Sequence, residues 1–264
     1  MTVGARLRRY VEGVADARKL AEQLVPEFVA RGAVAVALTG SYARGDATSA
    51  SDLDLMIVGD GADYVLDVRD GVLVAESWAS EEAHRTRLNS VREVGSSVPG
   101  WREAIVLHDP EGVAIRLKDE ALNWSWEQLG DRPDEWVAEQ LVGFAEEVQK
   151  LVAALDEHRM LTAAVQRDIL ALRLARILAV HHHLLYGSEN LLWDQVGEQM
   201  SAEWRRTQAA AFSIAGESFD ASCAAALRLF RLASDCVASL LDERQAAVIR
   251  HALAAAVSYD QSDE

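Results

Sequence analysis

Two apolar runs, joined by a short polar link, constrain this chain more than any other feature. Val34–Leu38 ends, after Thr39, in Gly40-Ser41; ten residues later Asp52-Leu53-Asp54 opens the second run, which continues to Val58. Side chains alternate faces along a strand, so this spacing predicts Asp52 and Asp54 on one face and Leu53, Leu55 and Ile57 in a core. Two carboxylates on one face repel each other unless a cation lies between them. Gly-Ser beside them offers backbone N–H groups and a hydroxyl with little bulk, which suits a phosphate. A divalent ion next to a phosphate cradle is the equipment of phosphoryl or nucleotidyl transfer.

Gly40-Ser41, ten residues and Asp52-x-Asp54 resemble the signature of the DNA-polymerase-β-like nucleotidyltransferase superfamily. Asp-x-Asp alone is common by chance; the composite between two apolar runs is specific. The resemblance implies an α/β (α+β) catalytic domain with a small mixed sheet. It also implies Mg²⁺, one or two ions, held by Asp52 and Asp54, with ATP or another NTP as co-substrate. A later strand in this superfamily usually adds a third carboxylate. Glu76, alone in the apolar run Gly71–Trp78, fits that place because a charge there needs a cation or another partner. The rival reading puts Glu76 at a strand end on the sheet surface. Arg44, in the link, is placed to reach the triphosphate, or else to form a surface salt bridge with Asp46.

Bulk properties narrow the acceptor. The formal net charge is −16, and the nearest basic runs are Arg6-Leu7-Arg8-Arg9 and Arg205-Arg206. A nucleic-acid partner calls for a basic face, so tRNA and DNA are disfavoured. An acidic protein instead concentrates a polycation around itself, although acidity also serves plain solubility. No stretch approaches the roughly 20 apolar residues of a membrane span. Met1–Arg9 is followed by no apolar signal core, so the expectation is a cytoplasmic protein. Cys223 and Cys236, with no metal-ligand spacing, read as buried core thiols.

The chain changes character near Leu129-Gly130-Asp131-Arg132-Pro133, which predicts a catalytic domain over 1–130 and a helical one over 131–264. The first part reads as an amphipathic helix over Arg6–Ala30, kinked or broken at Pro26, then strands Ala33–Leu38, Asp52–Val58, Asp63–Val68 and Gly71–Trp78. A helix start at Ser80, a strand or loop at Ala104–His108 and a helix over Ile115–Trp124 complete it. Beyond the boundary, 3.6-residue periodicity over Val137–Leu155, Leu161–Tyr186, Ser201–Ala215, Phe219–Leu241 and Glu243–Val257 predicts an all-α bundle, with a frayed polar tail from Ser258 to Glu264.

Size, the helical second half and His181-His182-His183-Leu184-Leu185-Tyr186 are most similar to the kanamycin-type aminoglycoside nucleotidyltransferases. That resemblance implies Glu146 as general base on the acceptor hydroxyl, with Glu147 if the register slips by one, and Lys150 on the nucleotide phosphates. By base rates Glu146 and Lys150 are only a helix-stabilising ion pair. It further implies an aminoglycoside acceptor and a homodimer sharing its active sites. A lincosamide or other small-molecule nucleotidyltransferase, or an antitoxin-like partner-binding member, is the alternative. The three histidines read as bundle interface or core-edge residues rather than a zinc site, since a helix fans consecutive residues apart.

Overall fold

The computed structural model describes residues 3–61 and 63–260. It divides into two compact units, Met1–Gln128 and Leu129–Glu264.

The first unit follows from alternation. It runs α1 (Val3–Ala30), β1 (Ala33–Leu38), α2 (Gly40–Arg44), β2 (Leu53–Gly59), β3 (Tyr64–Arg69), β4 (Val72–Ala79), α3 (Glu81–Leu88), α4 (Val94–Glu103), β5 (Ile105–His108) and α5 (Val113–Leu122). The five strands form one mixed sheet in the order β3-β4-β2-β1-β5. β2 and β4 are parallel, with Asp54 beside Ala75 and Leu55 beside Glu76; the other pairings are antiparallel. Leu53, Leu55, Ile57, Val74 and Trp78 close a core with Leu20, Ala21, Leu24 and Phe28 of α1. That face of the sheet is therefore dry and belongs to α1.

Pro26 lies inside α1, which continues to Ala30 without ending there. Proline removes one intrahelical hydrogen bond, at a cost of about 3 kcal/mol in a free helix. Phe28, fully buried, and Leu24 anchor the turns on either side. Tertiary packing holds a segment that propensity alone would break. α4 is a helix the sequence reading missed, because Gly95, Ser96, Ser97, Pro99 and Gly100 make it look like loop. Its buried Val94, Val98 and Trp101 supply the stabilisation instead.

The second unit is helical: α6 (Arg132–Asp156), α7 (Met160–His181), α8 (Glu189–Gln199), α9 (Ala202–Ala211), α10 (Phe219–Cys236) and α11 (Glu243–Asp260). Val137, Leu141, Val148 and Leu151 give α6 one apolar face, packed against α7 and α11. α8 is a further unforeseen element, opened by the Ser188 hydroxyl accepting from the Asn190 N–H. α7 stops at His181, short of the predicted Tyr186, and α10 stops at Cys236. Cys223 is buried as expected, but Cys236 is only half-buried. Of the predicted frayed tail, Ser258–Asp260 is helical; residues 261–264 lie outside the described residues. Among the described residues no helix is long and apolar enough to cross a membrane.

Candidate active site

Asp54 stands on β2, on the face opposite α1, and Asp52 precedes it by the two residues that return a side chain to the same side. β1 ends at Leu38, the Thr39 N–H donates to the Asp54 carbonyl at 2.9 Å, and the chain turns directly into α2. Gly40 makes that turn possible. Its φ is +66°, and a Cβ built on it would stand 2.0 Å from Asp54 Oδ2. Glycine accepts that backbone conformation without strain and, having no Cβ, lets the main chain rest on the carboxylate. Ser41 follows in the first turn of α2, a helix that no side chain caps.

The electrostatics match the geometry. Burial, then repulsion from Asp52, push the Asp54 carboxyl up to about 6, with Arg44 pulling the other way. Burial and the Asp52 charge likewise raise the Tyr42 phenol. Arg44, the last residue of α2, donates to Asp46 at 3.2 Å and lies 3.9 Å from Glu103 at the end of α4. Burial raises the Glu103 carboxyl, against the pull of Arg44. The link itself is ordered by Ser51, whose hydroxyl accepts from the Thr48 N–H at 2.8 Å.

Glu76 is elsewhere. Parallel pairing sets it beside Leu55, so it points to the α1 face, away from Asp52 and Asp54. There it is 1% exposed, bonded by Arg31 Nη2 at 2.8 Å and by Trp78 Nε1 at 2.9 Å. Arg31 also lies over the Trp78 ring, 4.8 Å from its centroid. The expectation that Glu76 completes the metal site is thus corrected. Its charge has a partner, and that partner is a guanidinium from the end of α1.

The structure brings together Gly40, Ser41, Arg44, Asp52 and Asp54. Sequence reasoning missed two neighbours, Tyr42 and Glu103. Tyr42 stands next to the Gly-Ser pair and was findable by position, whereas nothing in the sequence marked Glu103. Glu146 and Lys150 lie on α6 in the second unit, 3.0 Å apart, and Lys150 also reaches Glu147 at 3.3 Å. The Glu146 side chain is 74% exposed and that of Glu147 22%. Pairing with Glu146, and secondarily Glu147, holds the Lys150 ammonium above its ordinary value.

The family model described as nucleotidyltransferase domain matches residues 18–150 of the 264. The chain belongs to that family. The match covers the sheet, the Gly-Ser turn and both aspartates, and it runs on through α6 as far as Lys150. Membership places the chain in the polymerase-β-like superfamily, as the motif implied, and the observed mixed sheet followed by helices is the expected fold class. A candidate protein adenylyltransferase of Methanocaldococcus jannaschii is 43% identical over 61 residues, 20% of this chain and 61% of that one. The chain therefore spans less than two thirds of this relative. A solved nucleotidyltransferase-like protein from Exiguobacterium sibiricum aligns over 94% of this chain and 81% of its own, at TM-score 0.49 and 10% identity.

The residues of this nucleotidyltransferase domain fit a divalent ion. Asp54 carries a carboxyl whose ionisation burial and Asp52 both oppose, which is the condition a bound cation relieves. Asp52 and Asp54 would hold it, with phosphate oxygens completing its oxygen shell. Ala75 lies beside Asp54 on β4, so that strand adds no acid at this register position.

Proposed function

We propose that this protein is a cytoplasmic adenylyltransferase that moves AMP from ATP to a hydroxyl of a small cationic acceptor, an aminoglycoside being the best chemical fit. The observation that carries this reading is the Asp52–Asp54 pair with the Gly40 backbone resting on Asp54. Mg²⁺ bound there would neutralise charge on the α-phosphoryl oxygens. Asp52 and Asp54 orient the reacting phosphate; Gly40 and Ser41 seat the outer phosphates; Arg44 supplies a cation at the end of the same short helix. The acceptor oxygen forms a bond to the α-phosphorus as the bond to the β-phosphate bridging oxygen breaks. Pyrophosphate leaves, and the hydroxyl proton passes to a carboxylate.

Glu146 is our choice for that carboxylate, on the resemblance to the aminoglycoside enzymes, with Lys150 assisting at the phosphates. The same resemblance favours a homodimer. Glu146→Gln keeps shape but loses basicity, so turnover should fall by about 10²–10⁴ with nucleotide affinity unchanged. Glu147→Gln, about 100° round the helix, should be nearly silent. The reverse pattern moves the base by one residue, and two silent variants remove α6 from the chemistry.

A second reading has a specific support: the relative from M. jannaschii carries a protein-adenylyltransferase name. It puts a protein hydroxyl in the acceptor position. Incubation with ATP labelled in the α-phosphate and Mg²⁺, with an aminoglycoside panel and separately with cell protein, decides between the two. Label in the drug supports the first reading, and label in a polypeptide the second. Label in neither, with no acceptor-dependent pyrophosphate, overturns both.

A further inference from the structure

Three helix C-termini meet in the second unit at a group of soft donors unrelated to the aspartate pair. α7 ends at His181, with His182 as its C-cap; α8 is capped by Met200; α10 ends at Cys236. The α7 terminus is a tight reversal. The Leu184 N–H returns to the Ala179 carbonyl at 2.8 Å and the His183 N–H to that of Val180 at 3.0 Å, with His183 at φ +55°. The helix therefore stops within the histidine run, and the premise that it fans all three apart no longer holds. The His181 and His182 rings lie 4.9 Å apart, and one nitrogen of each lies with Cys236 Sγ in a cluster 4.8 Å across.

Hydrogen bonds leave these donors short of partners. His182 Nε2 is 3.3 Å from Met200 Sδ and 3.7 Å from Cys236 Sγ. If that nitrogen carries its proton, it donates to one sulfur only; if it does not, it accepts from the Cys236 S–H and still faces the lone pairs of a thioether that has nothing to donate. His181 Nδ1 is buried with no hydrogen-bond partner among the described residues. One cation held by a nitrogen of each ring and by Cys236 Sγ would answer this cluster as a whole. Around a tetrahedral ion with Zn–N of about 2.0–2.1 Å and Zn–S of about 2.3 Å, neighbouring ligand atoms are roughly 3.5 Å apart. Three helix C-termini also turn the negative ends of their dipoles toward the spot.

We infer that His181, His182 and Cys236, with Met200 beside them, form a binding site for one thiophilic ion, zinc(II) or copper(I). Imidazole and thiolate serve both ions, whereas the thioether favours copper(I). The forms that ligate are the neutral imidazole and the thiolate. Binding must then release the Cys236 proton to solvent as the metal–sulfur bond forms.

The test uses the full chain carrying Asp52→Asn and Asp54→Asn, so that the acidic pair takes no metal. Zinc is titrated against a chromophoric chelator, and copper(I) against a copper(I)-specific one. One equivalent should bind with proton release, and Cys236→Ser should weaken it at least 100-fold. Met200→Leu should weaken copper(I) about tenfold or more if that is the ion, and leave zinc little changed. Bound metal should also slow alkylation of Cys236 in the chain without the serine substitution, a measurement that needs no folded variant. Absence of stoichiometric binding of either ion, unchanged affinity in Cys236→Ser, or alkylation indifferent to metal would each overturn the site.

Discussion

β2 and β4 carry acids on both faces of one sheet, and the two faces treat them in opposite ways. On the α1 face, Glu76 is buried against Arg31 and Trp78, its charge fully answered by the protein. On the other face, Asp52 and Asp54 repel each other beside a bare glycine backbone, with Arg44 shared among Asp46 and Glu103. A carboxylate whose charge is already matched is structure; a pair whose charge is left over is able to take a cation. Residue type and burial alone do not separate the two. The partner does.

The largest expected effect attacks the unmatched side. Asp52→Asn or Asp54→Asn should lower adenylyl transfer by about 10³ or more, since metal charge stabilisation supplies several kcal/mol of the barrier. Thermal melting should show the fold intact. Near-normal turnover in either variant would erase the distinction between the faces. Next comes Gly40→Ala, whose methyl has no room against Asp54 Oδ2 and whose φ is unfavourable. It should displace the carboxylate and cost about 10²-fold in turnover, the usual penalty for a misplacement of about 1 Å.

The matched side should respond in stability and not in rate. Arg31→Met strands Glu76 in the core; breaking a buried pair costs about 3–5 kcal/mol, and the half-exposed guanidinium puts the expectation near 2–3 kcal/mol. Denaturant titration should show that loss, while turnover per folded molecule stays within about twofold. A large rate loss at unchanged stability would return Glu76 to the chemistry.

The smallest effect is a pH slope. Asp54 ionises near 6 in the folded chain, against an ordinary 3.8, so between those values the folded state holds a proton that the unfolded state has lost. Stability of the metal-free protein must then fall as pH rises through that window. Asp54→Asn removes this component. Its advantage over the parent should be near zero around pH 4 and about 1–2 kcal/mol at pH 7, allowing for partial exposure. A constant difference across the range would show that Asp54 is not strained.

The sequence made the aspartate pair and the Gly-Ser turn legible because their geometry is local: two residues along one strand, and one turn at the end of its neighbour. Glu76 was not, because its side depends on how β4 aligns with β2 after an intervening β3, a distance the motif does not encode. Its charge does need a partner, and that partner stands 45 residues back in the chain, at Arg31. α4 was illegible for a different reason. Its glycines, serines and proline argue for loop, and the buried Val94, Val98 and Trp101 argue otherwise. The end of α7 was illegible too: the apolar periodicity runs on to Tyr186, but the helix stops five residues earlier, at His181.

The Arg31–Glu76 pair bears on how the sheet assembles. A β4 strand that added itself one residue out of step would still find main-chain partners on β2. It would also carry Glu76 and Trp78 across to the aspartate face, where a third carboxylate meets two others, and would leave Arg31 with neither its counter-charge nor that ring. Both ends of the error are costly, so a fully apolar β4 would tolerate a misaligned intermediate that this one rejects. Replacing both residues by apolar side chains should therefore produce a protein that is no less stable at equilibrium but refolds with an added slow phase, as misaligned strands unpair and try again.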